Sequence, residues 1–325
     1  MKKKVLTIFL ILTMCLTMFP TAVFATGGGI AGLQGEGTPD NPYLISSKDD
    51  FEKFRNAVNS GQNQICGKLT KDIGETAWKD ASEAIGTETY KYNGCFDGNG
   101  HHIFFSMNTN YTKFGLFGYI GQSGIVQNLA VRLDSIAGES GTIAYSNAGT
   151  IANCSVYEWD ADKTLAGAIN RSLDDDGNSP NTSVAVYGRL KAAGIVNRNE
   201  NSGTVKDCYF ASPLALFYVE NDDTSLCEAG GLVYQNDGKI ENSCFLGNLY
   251  YSRNYDTCFI DWGITYRNNG TVSNCYFWNY KDKAKGTGEG TYLTKAQFES
   301  GEATYLLNNG RTGAAAAWRQ NLTGN

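Results

Sequence analysis

Gly203-Thr-Val-Lys-Asp207-Cys208 and Gly270-Thr-Val-Ser-Asn274-Cys275 are two copies of one hexapeptide. Three more align on the same glycine: Gly124-Ile-Val-Gln-Asn128-Leu129, Gly149-Thr-Ile-Ala-Asn153-Cys154 and Gly238-Lys-Ile-Glu-Asn242-Ser243. The pattern is G-x-[IV]-x-[ND]-[CSL]. Ahead of most copies lies a second element, seen in Gly115-Leu116-Phe117, Gly194-Ile195-Val196, Gly231-Leu232-Val233 and Gly263-Ile264-Thr265. The two are joined by turns such as Asn236-Asp237-Gly238 and Asn268-Asn269-Gly270, whose residues tolerate the positive φ of a sharp corner. Each unit reads as a short β-branched strand, a tight turn and another short strand. Such a unit cannot bury its apolar face alone, but stacked copies can, so the repeat predicts a β-solenoid with one continuous core.

The glycine-to-glycine spacings of 25, 54, 35 and 32 exclude a strict repeat and imply variable loops on one side of the coils. The longest gap, from Cys154 to Gly203, has room for a further coil and an insertion around Leu173 to Thr182. In register, Asn128, Asn153, Asp207, Asn242 and Asn274 form a column at one corner, each amide bonding the backbone or the next side chain. The following residue then points inward, where Leu129, Cys154, Ser243 and Cys275 suit a narrow interior. Cys208 belongs to the same column, which reads as buried thiols.

Composition agrees with a β-rich, turn-dense chain. Glycine stands at 38 and proline at 5, while Tyr and Phe total 35, too many aromatics for a mostly disordered chain. Lys2, Lys3 and Lys4 precede the apolar run Val5 to Phe19, and Val23-Phe24-Ala25 offers a small-x-small cleavage site. Residues 1–25 therefore read as a signal peptide, and the mature chain as secreted or held at the cell surface. No later stretch approaches the ~20 apolar residues of a membrane span. Without the three leading lysines, 24 basic residues face 33 acidic ones, a formal charge of −9. That balance, with no basic cluster, argues against nucleic acid and anionic membrane as partners. Eight cysteines remain after Cys15, an even number that permits disulfides. Neighbouring coils about 4.8 Å apart bring Cα atoms within disulfide reach, and the pairs so considered are Cys66 with Cys95 and Cys227 with Cys258. With no C-x-x-C pair and two adjacent histidines, a zinc site is not expected.

Residues 26–34 read as a flexible lead, 35–110 as an N-terminal cap with the first coils, 111–285 as the repeats and 286–325 as a C-terminal cap that ends abruptly, as a truncated product would. Ser47-Lys-Asp-Asp50 fits a capping box, Phe51, Phe54 and Val58 share one helical face, and Gly61 ends that helix. It would close the open end of the stack. At the other end Thr294-Lys-Ala-Gln297 starts a second helix, and Tyr305, Leu306 and Leu307 lie in a third.

These motifs resemble the GLUG-motif repeat proteins of bacterial cell surfaces. The matches are Gly115-Leu116-Phe117-Gly118, Gly231-Leu232-Val233 and the G-x-[IV]-x-N-C elements, together with Gly37-Thr-Pro39-Asp40-Asn-Pro42-Tyr43-Leu-Ile45 and Phe96-Asp97-Gly98-Asn99-Gly100-His101. The likeness covers about residues 35 to 320. It implies a right-handed parallel β-helix and an adhesin-like setting, and it carries no shared catalytic set. The fourth motif glycine is replaced by Asn197, Tyr234 and Tyr266 in later copies.

Two classes of chemistry are open. A polysaccharide lyase or glycoside hydrolase needs paired carboxylates, and the densest acidic cluster is Asp174-Asp175-Asp176, with Asp160 and Asp162 upstream. Its setting reads as a solvated loop; Asp174, Asp176 and Gly177 also suit the oxygen ligands of Ca2+, but no glutamate closes an EF-hand-like loop. His101-His102 would need a neighbouring carboxylate or arginine to be catalytic, and a strand would point the two rings to opposite faces. The other class is non-catalytic binding of glycans or of host or matrix proteins through exposed rings. Tyr276, Trp278 and Tyr280 alternate on one strand and form the preferred patch, with Tyr209, Tyr250 and Tyr251 as further candidates. The sequence favours this binding role over an enzyme, and leaves a structural spacer of a larger surface protein as a third reading.

Overall fold

The β-branched core of each hexapeptide makes a three-residue strand, and strands of successive copies lie in register. The computed structural model describes residues 29–74, 84–105, 113–133, 135–158, 184–211, 214–217, 227–246, 249–251, 258–260, 263–278 and 289–319. Thr150, Ile151 and Ala152 pair in parallel with Ile125, Val126 and Gln127 on one side and with Thr204, Val205 and Lys206 on the other. Continued along the chain, this gives a first face of eight parallel strands from Tyr43–Ile45 to Thr271–Ser273. Past the Asn corner comes a second face of seven, including His102–Phe105, Ala130–Leu133, Ser155–Glu158, Tyr209–Ala211, Cys244–Leu246 and Tyr276–Trp278. A third face of six contains Ser135–Gly141 and Val184–Ala193, and a fourth of five runs from Phe117–Ile120 to Thr265–Asn268. The molecule is the parallel β-helix that the repeat implies, with four strands per full coil where the motif shows two.

The interior is a set of vertical files. Val126, Ile151, Val205 and Ile240 line the first face, Val131, Val156, Phe210 and Phe245 the second, and Ile143, Ile195, Leu232 and Ile264 the turn between the third and fourth; all are fully buried. Phe210 and Phe245 stack at 5.8 Å. The gap from Cys154 to Gly203 holds no further coil, contrary to the sequence expectation. Asn153 N donates to Lys206 O, so these two coils are immediate neighbours. Part of the gap forms Val184–Ala193 in the third face; the insertion around Leu173 to Thr182, with Asp160, Asp162, Asp174, Asp175 and Asp176, lies outside the described residues.

The motif glycines serve a different purpose from the one expected. Positive φ belongs to the corner residues instead: Asn128 (53°), Asn153 (51°), Asp207 (53°), Asn242 (48°) and Asn274 (51°). Asn and Asp enter this left-handed region at less cost than other side chains, because their short polar groups bond locally. The glycines are needed for close approach. A Cβ on Gly149 would lie 2.2 Å from Gly124 O, and one on Gly270 2.1 Å from Gly238 O. The first face can keep its register only if the turn before it is bare.

Two amide ladders run along the axis. At the outer corner Asn128 Nδ2 donates to Asp97 Oδ1 (3.0 Å), Asn153 Nδ2 to Asn128 Oδ1 (2.8 Å) and Asn274 Nδ2 to Asn242 Oδ1 (2.9 Å). The second ladder, at the end of the fourth face, is missed by the sequence reading, which took Asn236 and Asn268 as plain turn formers and did not single out Asn147 or Asn199. Asn147 donates to Asn199 (2.9 Å), Asn199 to Asn236 (2.8 Å) and Asn236 to Asn268 (2.7 Å). Asn147, Asn199 and Asn236 are fully buried. The signal was an Asn two to four residues before Gly149, Gly203, Gly238 and Gly270.

Helix α1 (Lys48–Asn59) buries Phe51, Phe54 and Val58 against the first coils, with Phe54 5.9 Å from Phe96. Ser47 Oγ caps Asp50 N, but the Asp50 carboxylate reaches back to Ser46 N and Oγ, one residue earlier than a capping box requires. Helices α2 (Lys295–Glu299) and α3 (Glu302–Asn308) follow the strand Thr291–Tyr292. Thr294 and Gln297 complete a reciprocal capping box. These helices pack on the outer surface of the second face rather than across the end of the stack: Phe298, Ala303 and Leu307 meet Leu246, Tyr276 and Trp278.

Asn199→Leu removes the middle rung of the buried ladder and strands the Asn147 and Asn236 amides. A loss of about 2–4 kcal/mol is expected from two unsatisfied buried groups, read as a lower thermal midpoint by circular dichroism. Asn153→Gly, which keeps the left-handed turn and loses one exposed rung, should cost about 1 kcal/mol or less.

Candidate functional site

The aromatic patch expected to be exposed is covered. Tyr276 and Trp278 do share the outward side of their strand, but at 9% and 5% exposure they lie beneath α2 and α3. Tyr276 Oη donates to Asn274 Oδ1 (2.7 Å). The reason is register: the outward column Tyr209, Cys244, Tyr276 is apolar over its last coils and recruits the C-terminal helices. Tyr280 lies outside the described residues, and for Tyr250 and Tyr251 the description extends to the backbone strand Leu249–Tyr251.

After α3 the chain runs back along the Asn corner as a strap. Arg311 grips the Asp207 carboxylate with two bonds, Nη1 to Oδ2 (3.0 Å) and Nη2 to Oδ1 (2.5 Å). Trp318 Nε1 donates to Asn242 O (3.1 Å), and its ring lies 5.9 Å from Tyr209. The strap thus covers the later coils, and beside Trp318 and Arg319 lies a groove of about 530 Å3.

Its wall along the corner is Asn99, Asn128, Asn153 and Asp207; its floor is the outward side of the second face, with His102, Ala130, Ser155 and Tyr209 in register. Tyr157 lines it, and Trp318 and Arg319 close its end. Four coils contribute, so the groove extends along the axis for about 14 Å at one strand spacing per coil. Burial pushes the Tyr157 hydroxyl up to about 12 and raises that of Tyr209, so both rings are neutral donors. Of the sequence candidates, Tyr209, Asn128, Asn153 and Asp207 converge here; His102 and Tyr157 were not singled out as binding residues. Tyr157 sits two residues after a ladder Cys-Ser step, the only hint of it in the sequence.

The histidines share one carboxylate. Nδ1 of His101 and Nδ1 of His102 each lie 3.2 Å from Asp72 Oδ1. The strand expectation of opposite faces fails because His101 is still in the turn, whose N–H donates to Gly98 O. Among the described residues no group of three metal-ligating side chains is found.

The cysteines divide by position. Cys66 and Cys95 form a disulfide between neighbouring coils. Cys154, Cys208 and Cys275 are buried thiols whose sulfurs contact the carbonyl two residues back, and Cys244 is a fourth, on the outward side under the helices. Burial raises the Cys208 and Cys244 thiols well above their usual range and Cys275 to about 12. Cys227 and Cys258 are direct register partners on the third face.

No known family model matches the chain. A candidate Gly-rich membrane protein of Evansella cellulosilytica is 37% identical over 133 residues, 38% of this chain and 15% of its own length. Halomucin of Haloquadratum walsbyi is 31% identical over 136 residues, 37% of this chain and 1% of its own length. The chain therefore spans a small fraction of either relative. The crystal structure of a candidate immunoglobulin A1 protease from Bacteroides ovatus superposes with a TM-score of 0.51 at 17% identity, over 85% of this chain and 89% of that one. That likeness is one of fold.

Trp278→Ala should behave as a core truncation, costing about 3–5 kcal/mol in denaturant titration. The Cys208, Cys244 and Cys275 thiols set an alkaline limit. Their pKa values are raised in the folded state, so the stability they contribute is full below the unfolded thiol value near 8.5 and is lost as pH rises toward about 12. Unfolding free energy should fall from pH 9 upward, and iodoacetamide at pH 8 should label Cys154, Cys208, Cys244 and Cys275 only after denaturation. Peptide mapping without reductant should recover Cys66 linked to Cys95, and the register permits a Cys227–Cys258 link in the same map.

Proposed function

We propose that this chain is the interaction module of a bacterial cell-surface or secreted protein, and that it binds extracellular glycans without transforming them. The signal-peptide pattern at residues 1–25 and the resemblance to GLUG-motif surface proteins support the address. A membrane protein and a halomucin among the relatives point the same way. Among the described residues no helix is long and apolar enough to cross a membrane.

The observation that carries the binding reading is the groove beside the Asn corner. It has the size of a small-ligand site and combines ring edges, side-chain amides and a hydroxyl on strands held rigid by the solenoid. Hydrolysis of a glycosidic bond needs two carboxylates flanking the bond. Asp207 is the single carboxylate among the described residues lining the groove, and both its oxygens already accept from Arg311. Recognition is therefore the chemistry this lining supports.

A glycan array probed with the wild-type chain should show a set of bound saccharides, and Tyr209→Ala, at a half-buried ring on the groove floor, should reduce that signal at least tenfold while a reducing-sugar assay on the same saccharides stays at background. Sugar release by the wild type would replace binding with catalysis; a blank array, with binding to extracellular matrix proteins instead, would replace the glycan with a protein.

A further inference from the structure

The outer amide ladder is interrupted, and the interruption faces the groove. In each intact step the Nδ2 of one coil donates to the Oδ1 of the coil before it, as Asn153 does to Asn128 and Asn274 to Asn242. The residue that should donate to Asn153 is Asp207, whose carboxylate has no hydrogen to give. Asn153 Oδ1 thus meets no donor among the described residues, and the next rung offers two more acceptor oxygens about one strand spacing, ~4.8 Å, away. Asn153 and Asp207 both line the groove.

We propose that this gap is a binding subsite, in which an uncharged, hydroxyl-rich saccharide lies along the solenoid axis and donates neighbouring hydroxyls to Asn153 Oδ1 and Asp207. The inference rests on the glycan-binding reading above and assigns its ligand class and anchor. Three features select that class. The acceptors call for donors, so a ligand rich in acceptors alone is excluded. Arg311 already balances the Asp207 charge, so the remaining need is for hydrogen bonds rather than for a counter-ion. Acidic glycans would bring more carboxylates against acceptor oxygens on a chain with a formal charge of −6, or −9 without the leading lysines. A peptide strand is disfavoured as well. The strands forming the floor have parallel partners on both sides, as Ser155 has in Ala130 and Tyr209, so no free edge is left for β-augmentation. Tyr209, half-buried on the groove floor, supplies ring carbons to the saccharide, and Trp318 lines the groove's end.

Asp207→Asn separates this role from a structural one. Asparagine keeps the left-handed turn, can still accept from Arg311, and restores the missing donor to Asn153. The ladder closes over the subsite, so affinity should fall about tenfold or more, the loss expected for hydrogen bonds to a charged group, while the thermal midpoint is held or raised. Asn153→Gly, which removes the other acceptor without straining the turn, should weaken binding in the same way. The measurement is affinity electrophoresis and calorimetry of the full chain against mannan, xylan and mixed-linkage glucan as neutral probes, with polygalacturonate and a soluble random decapeptide library as competitors. Binding to a neutral glycan that both variants weaken supports the proposal. Neutral-glycan binding unchanged in both variants overturns the subsite and leaves the glycan-binding function standing. Equal or tighter binding of polygalacturonate or of the peptides overturns the ligand class. No binding of any glycan by the wild type removes the function and the subsite together.

Discussion

The structure depends on one repeated constraint: each coil must leave the first face through a residue in the left-handed region, at the same height as the coil before. Five corner residues hold φ between 48° and 53°. That narrow spread keeps Cα partners in register over eight strands of the first face, because a one-residue slip would turn every inward Val and Ile to the outside. The corner is also where side chains are forced into columns. A backbone amide ladder satisfies the strands, and a side-chain amide ladder satisfies the turn that the strands cannot. Each rung contributes about 1 kcal/mol, but the rungs share partners, so loss of one leaves two neighbours short.

Much of this was legible because the repeat is a contact rule written in sequence. The [IV] position had to be inward, the Asn had to turn the corner, and the following Cys had to be small and buried; Cys154, Cys208 and Cys275 are so placed. The glycine was legible as a requirement but not as the right one, since a bare position for close approach and a bare position for positive φ look alike in sequence. The inner ladder was hidden for a related reason. Asn199 precedes its glycine by four residues and Asn236 by two, so a fixed template sees turn filler where the fold sees one buried column. The replaced fourth glycine has a physical account as well. A Cβ on Gly118 would lie 2.4 Å from Gly86 O, whereas in later coils the same register position carries Asn197, bonded to Ser140 O (3.3 Å), and the stacked pair Tyr234 and Tyr266 (5.3 Å). The motif loosens where the third face moves in to cover it.

What sequence could not supply was the fate of the outward side. Alternation correctly sent Tyr276 and Trp278 outward, but outward is not exposed. Whether a ring meets water depends on a helix contributed from some twenty residues later in the chain, and α2 and α3 carry the apolar residues to cover it. Tyr209, in the same column, is half-buried, with the Trp318 ring 5.9 Å away. The groove lies beside Trp318 and Arg319 of the strap, a tertiary placement with no local signature.

The acidic rung Asp207, between Asn153 and Asn242, ties these strands of argument together. A ladder built for stability would use asparagine throughout, since an amide both donates and accepts and a carboxylate does not. Asp207 breaks that chain, and the break is tolerated because Arg311 arrives from the strap to satisfy the charge with paired bonds. The ion pair therefore does two jobs at once. It fastens the strap, which sets the edge of the groove, and it neutralises a carboxylate that would otherwise repel its neighbours and demand solvent. What remains after that pairing is geometry: acceptor oxygens on successive coils, fixed by the same register that builds the core, with one of them unanswered. In a solenoid the cheapest route to a binding surface is to leave a structural column incomplete, because every atom around the gap is already held in place by coils that do not depend on it.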